Sequence, residues 1–130
     1  MTRAGRVVAA ARATIGARFR AHGRDPALGL DCVGVAAWAL AAGGWRGRVP
    51  AGYALAAGEA AVAPAMLAGL EPCDGDAAGD LLLCRAGGGL HLAIRTEAGF
   101  VHADAGLRRV VERPGAPPWP VLAAWRLEGE

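Results

Sequence analysis

Hydrophobic positions recur along the chain at two different spacings, and the change from one to the other divides it. Val7, Val8, Ala11 and Ile15 return at helical intervals, with arginines mostly elsewhere, which predicts an amphipathic helix over residues 3 to 17. Residues 21 to 30, punctuated by Gly23, Asp25-Pro26 and Gly29, read as a turn-rich loop. That loop delivers the chain to Asp31-Cys32. From Cys32 to Ala42, Val33, Val35, Ala36, Ala37, Trp38, Ala39 and Leu40 leave almost no polar face, so a buried central helix is expected, stopped by Gly43-Gly44. Tyr53 to Leu70 is alanine-rich and predicts a third helical stretch, bent or divided at Gly58 and Pro64.

From Asp80 the runs become short and glycine-bounded. Leu81 to Arg85, Leu90 to Arg95, Phe100 to Ala103, Arg108 to Glu112 and Val121 to Leu127 predict an antiparallel meander, with turns at Gly87-Gly88-Gly89 and Thr96 to Gly99 and a stiff loop from Pro114 to Pro120. Helices first and strands afterwards indicate an α+β fold, with N-terminal helices packed on a C-terminal antiparallel sheet of about five strands. A length of 130 residues suits a single domain, 1–130, with one core.

Composition narrows the chemistry. The chain contains no Ser, Asn, Gln or Lys, and all 14 basic residues are Arg. A serine nucleophile is therefore excluded, leaving three Cys, three Thr, Tyr53, three His and the carboxylates. A third residue orienting a catalytic base must likewise be His, Asp, Glu or a backbone carbonyl.

Arg3, Arg6, Arg12, Arg18, Arg20 and Arg24 precede the first acid, Asp25, so the N-terminal segment is basic. It is either a solvated helix face or a surface for an anionic partner. No aromatic residue interleaves with these arginines before Phe19, so no nucleic-acid partner is expected. No apolar run approaches the roughly 20 residues of a membrane span. Arg interrupts the start too often for a signal-peptide core, so synthesis in the cytoplasm without a signal peptide is expected. An odd number of cysteines, three, fits a reducing compartment better than a disulfide scaffold.

Cys32 stands where a loop becomes a helix, and the positive end of the helix dipole would favour its thiolate, the form that attacks carbonyls. Cys73 and Cys84 lack such a setting and read as structural. His91 and His102 fall on adjacent predicted strands. An even-numbered turn between them sets Ala93 opposite His102 and His91 opposite Asp104, so both imidazoles leave one face with Cα atoms roughly 7 to 8 Å apart. Leu92, Ile94, Val101 and Ala103 then form the apolar opposite face. Setting the Cys32 helix against the histidine face yields a Cys-His-His triad. Cys73, Cys84, His91 and His102 are four potential zinc ligands, but they lack the close pair typical of structural sites; no metal and no cofactor is expected.

At these residues the chain resembles the NlpC-like family of papain-fold cell-wall peptidases, including the small versions associated with phage tails. The likeness is carried by Ile15-Gly16 with Phe19-Arg20, Gly29-Leu30-Asp31-Cys32-Val33-Gly34, Gly79-Asp80, Leu90-His91-Leu92-Ala93-Ile94 and Phe100-Val101-His102-Ala103, in order, from about residue 5 to the end. The resemblance implies a papain-like fold with Cys32 as nucleophile, His91 as base and His102 orienting it, and an oxyanion held by the Cys32 backbone N–H. It also implies cleavage of peptidoglycan stem peptides between D-glutamate and diaminopimelate or lysine, and partners in a phage tail, virion or tail-like particle that acts on the cell envelope. Many members have Tyr where Phe19 stands and Ser where Val33 stands. Tyr53 is a candidate to supply the missing hydroxyl to substrate, or is an ordinary core or surface aromatic. Asp31 either caps the nucleophile helix or touches substrate. A low-activity structural or adaptor role in a tail assembly is the alternative.

Overall fold

The structure, a computed structural model, describes residues 1–49 and 66–129. The predicted third helix, with Tyr53, therefore falls almost wholly outside the described residues. Its described end is not helical: residues 66–69 form a turn that runs directly into a strand.

Helix α1 spans Arg3–Ala13, opened by Thr2, whose hydroxyl accepts from the Gly5 N–H at 2.9 Å. It buries Val7, Val8 and Ala11 but stops four residues short of the predicted end. Thr14 turns its hydroxyl back onto the Ala11 carbonyl at 2.7 Å, and Gly16 takes a left-handed φ of 92°. Ile15, expected on the buried face, is consequently 46% exposed.

The freed segment 16–20 becomes a strap. Gly16 and Phe19 donate to the Val110 and Arg108 carbonyls on one edge, while on the other Arg20 donates to the Leu30 carbonyl and the Leu30 N–H donates to the Arg18 carbonyl. The loop that follows contains a small hairpin, β1 (Arg24–Asp25) and β2 (Gly29–Leu30), which the turn-rich reading did not resolve. Helix α2 runs over the predicted span, Cys32–Ala42. It is buried on most sides, but Trp38 is 44% exposed, so an apolar circumference did not mean complete enclosure.

The strands are β3 (Leu70–Pro72), β4 (Leu81–Ala86), β5 (Gly89–Arg95), β6 (Gly99–Asp104), β7 (Arg109–Pro114) and β8 (Val121–Leu127). They form one six-stranded antiparallel sheet in the order β3-β8-β4-β5-β6-β7. The fold is α+β. The meander holds from β4 to β7, but β8 returns to pair with β4 instead of extending beyond β7, and β3 adds a strand beyond it. Periodicity identifies strands; it does not say which edge a last strand will choose.

Each face of the sheet has its own cluster. Helix residues Val7, Ala11, Val35, Ala36 and Leu40 pack on Leu81, Leu83, Leu92, Ile94, Val101 and Val110. Leu82, Cys84, Ala93, Phe100 and Ala124 pack on the other face, closed by Trp119 and Cys73. Asp80, just before β4, is buried and ties the entry to β4 to its neighbour β8. Arg126 of β8 donates to both of its carboxylate oxygens at 3.0 Å, and the Ala77 N–H donates to Oδ2.

Replacing Arg126 by Met should leave that buried carboxylate without its counter-ion and lower the unfolding free energy by about 3 kcal/mol, the low end for a broken buried pair because the guanidinium side is 40% exposed. Urea denaturation at constant m-value measures it. A loss under about 1 kcal/mol would place the pair among ordinary surface ion pairs.

Candidate active site

Asp31 fixes the start of α2. Its Oδ1 accepts from the Gly34 N–H at 2.8 Å and from Arg24 at 3.1 Å, and its Oδ2 accepts from the His22 N–H at 2.7 Å. One fully buried carboxylate thus caps the helix and pins the preceding loop to it. The loop approaches so closely that a Cβ on Gly34 would stand 2.1 Å from the Gly23 carbonyl oxygen. Of the two roles open to Asp31, the structure assigns it the cap. Val33 is also removed from any ligand, since it packs in the core on the helix side of the sheet. Its expected contact with substrate is corrected: one residue past Cys32, the helix has already turned inward.

Cys32, His91, His102 and Phe19 do come together, lining one cleft of about 330 Å³ with Leu90, Asp104 and Trp119. The route differs from the expected one. Helix α2 packs on the apolar face of Leu92, Ile94, Val101 and Ala103, whereas the histidines leave the opposite face. The groups nevertheless share a cleft because the β5–β6 ladder is made only at Ile94–Val101 and Arg95–Phe100. That register is the even-numbered one, in which Ala93 lies opposite His102. Beyond it lie His91 and His102, where the cleft reaches the start of α2.

His91 Nε2 lies 2.8 Å from His102 Nδ1, a hydrogen bond between imidazoles set edge to face, with ring centroids 5.0 Å apart. Trp119 stands against both rings, at 5.2 Å from His91 and 5.3 Å from His102. Arg113 lies over the Trp119 ring, its guanidinium carbon 5.9 Å from the centroid. Trp119 was not singled out from the other tryptophans by sequence. The signal was there in Pro117-Pro118-Trp119-Pro120, a proline-stiffened loop carrying one large aromatic residue. Tyr53, the remaining expected site residue, lies outside the described residues.

The electrostatics correct a second expectation. Cys32 is only 8% exposed, and burial pushes its thiol up to about 11; the backbone N–H groups of Leu92, Val33 and Cys32 itself pull the other way without overcoming it, and Asp31 adds to the rise. The helix terminus does not produce a resting thiolate. His91 is pushed down to about 4, first by burial and then by His102, with Asp104 opposing. His102 is lowered as well, by burial, with Asp104 opposing and Arg113 assisting. At neutral pH the cleft therefore holds a neutral thiol beside a neutral imidazole pair.

Two other groups of side chains among the described residues are already partnered. Cys73, Asp74 and Asp80 bring ligand atoms within 4.8 Å of one another, but Arg126 bridges both carboxylates and supplies the cation. Arg3, Arg6, Arg12 and Arg24 of the basic N-terminal segment are bonded within the chain, to the Glu128 and Met1 carbonyls, to Glu97 and Glu112, and to Asp31. Among the described residues no helix is long and apolar enough to cross a membrane. In comparisons with known proteins, no family model matches the chain and no curated sequence is similar to it.

Two pH dependences follow. Alkylation of Cys32 by iodoacetamide in the free protein should be slow at pH 7 and rise about tenfold per pH unit toward pH 10, as thiolate forms; peptide mass mapping separates it from Cys73 and Cys84. A plateau reached below pH 8 would contradict the burial argument. Stability should fall as pH drops. The unfolded chain takes up a proton on His91 near its ordinary 6.5, while the folded chain resists until about 4. The resulting stability is present above pH 6.5 and loses about 2–3 kcal/mol down to pH 4. His91→Gln should flatten that part of the denaturation profile; an unchanged slope would assign the effect to carboxylates.

Proposed function

We propose that this chain is a cysteine peptidase with a papain-like fold of the NlpC type, hydrolysing amide bonds in bacterial peptidoglycan stem peptides. The observation that carries the reading is the 2.8 Å bond between His91 and His102 in the cleft that Cys32 lines. Burying two imidazoles costs desolvation that one mutual bond offsets only in part, and titratable groups perturbed in this way in a cleft are candidates for acid–base chemistry. The order of Asp-Cys, strand histidine and second strand histidine supports the family resemblance.

In this reading the thiol does not rest as thiolate. His91 takes the Cys32 proton as sulfur bonds to the amide carbon, and the backbone N–H of Cys32 receives the developing oxyanion. His91 then gives that proton to the leaving amine. Water attacks the thioester with His91 again as base, and the acid departs as the thiol is restored. Phe19 lines the cleft without a hydroxyl, so polar contacts to substrate come from other groups. The glutamyl–diaminopimelate type of bond is the substrate that the resemblance suggests. A phage tail, virion or tail-like particle would carry the enzyme from the producing cell to the envelope it cuts.

The raised thiol supports a second reading, a papain-like adaptor of a tail assembly with little turnover. Digestion of purified muropeptides, followed by mass spectrometry, separates the two. The peptidase should release product, and Cys32→Ala and His91→Ala should each lower the rate at least about 10³-fold with folding intact. Equal turnover in Cys32→Ala would end the peptidase assignment; no product from wild type would favour the adaptor.

A further inference from the structure

The bond between His91 and His102 needs one hydrogen, and either ring can supply it. If His91 Nε2 carries it, His91 Nδ1 is bare and able to take a proton, and the hydrogen of His102 is on Nε2. If His102 Nδ1 carries it, His91 must hold its own hydrogen on Nδ1, and it cannot serve as base through that atom. Only the first arrangement is competent.

His102 is 2% exposed, and its Nε2 is a buried atom with no hydrogen-bond partner. The charged oxygen facing it is Asp104 Oδ2, at 3.9 Å. Asp104 is itself held: its Oδ1 accepts from the Leu107 N–H at 2.9 Å, at the turn into β7. From β5 the ring meets His91, from β7 the guanidinium of Arg113, and around it the rings of Phe100 and Trp119. Among these groups Asp104 is the one anion. A carboxylate opposite Nε2 attracts a hydrogen there and repels a lone pair, so it separates the two tautomers by charge alone. An approach of about 1 Å would make the contact a full hydrogen bond as positive charge develops on the pair.

We propose that Asp104 is a positioning residue that keeps the His102 hydrogen on Nε2 and so leaves Nδ1 of His91 bare to accept the Cys32 proton. The inference rests on the cysteine–histidine chemistry proposed above. No proton reaches Asp104; it holds a tautomer and stabilises the imidazolium that forms on His91.

Asp104→Asn keeps an acceptor for Leu107 and removes the charge. Nitrogen NMR of histidine-labelled full-length protein near pH 7 should show hydrogen on Nε2 of both rings in wild type and a mixture of tautomers in Asp104→Asn. Turnover of muropeptides should fall about tenfold or more in kcat, with KM changed less than about twofold. In His102→Asn the amide oxygen accepts from His91 with no tautomer to lose, so adding Asp104→Asn should make the double variant no slower than the slower single one.

Hydrogen on His102 Nδ1 in wild type would overturn the proposal. So would a rise in KM with kcat intact, which would make Asp104 a substrate contact, or losses that multiply in the double variant. Absence of turnover in wild type would instead defeat the peptidase reading, and the NMR measurement would still decide the role of Asp104.

Discussion

The Asp31 carboxylate is the constraint on which the cleft depends. A fully buried acid is tolerable only when its oxygens are occupied, and here they are occupied by groups from three places: the Gly34 amide inside α2, the His22 amide in the loop, and the Arg24 side chain of β1. Those bonds set the angle at which the loop enters the helix, and with it the position of Cys32. The glycines on either side make this possible, since Gly23 and Gly34 come together more closely than any side chain would permit. The strap of residues 16–20 then joins the loop to β7, so the thiol and Phe19 are positioned from the same backbone network.

That enclosure explains the unusual balance at the thiol. Placing sulfur at a helix start brings amide dipoles to it, and placing it under a sheet removes water. Desolvation wins here because the amides act over one turn whereas the loss of solvent surrounds the atom. The histidines experience the same enclosure with the opposite charge sign, and both components of the cleft are driven toward neutrality. A cleft of this kind holds its thiol and its imidazoles uncharged at rest. In that respect it differs from one built around a preformed thiolate–imidazolium pair.

Much of this was legible in the sequence, and the remainder fails for identifiable reasons. Helix α2, expected from about Cys32 to Ala42, was legible because an acid cap and a glycine pair mark its ends. The register of β5 with β6 followed from the even turn between them, and it put both imidazoles on one face. The end of α1 was missed because Ile15 keeps the helical period while Thr14 and Gly16 turn the chain away. Which face of the sheet receives α2 was misjudged because apolar packing outweighs the pull of two polar residues. Trp119 was not legible as a partner of the histidines, since its proline loop meets them only in space, and Asp104, which the register set opposite His91, was not read as facing His102.

The placement of β8 has a consequence for how the molecule is made. It is the last strand along the described chain, yet it lies between β3 and β4, in the interior of the sheet. A growing chain can pair β4 through β7 as it leaves the ribosome, but β3 has no neighbour and the Leu82–Ala124 layer no second half until residues 121–127 emerge. The loop bearing Trp119 immediately precedes them, so the roof over the imidazoles closes in the same late step. Synthesis therefore places closure of the cleft after every other described strand has emerged, and a partly made chain exposes strand edges before Trp119 covers the imidazoles.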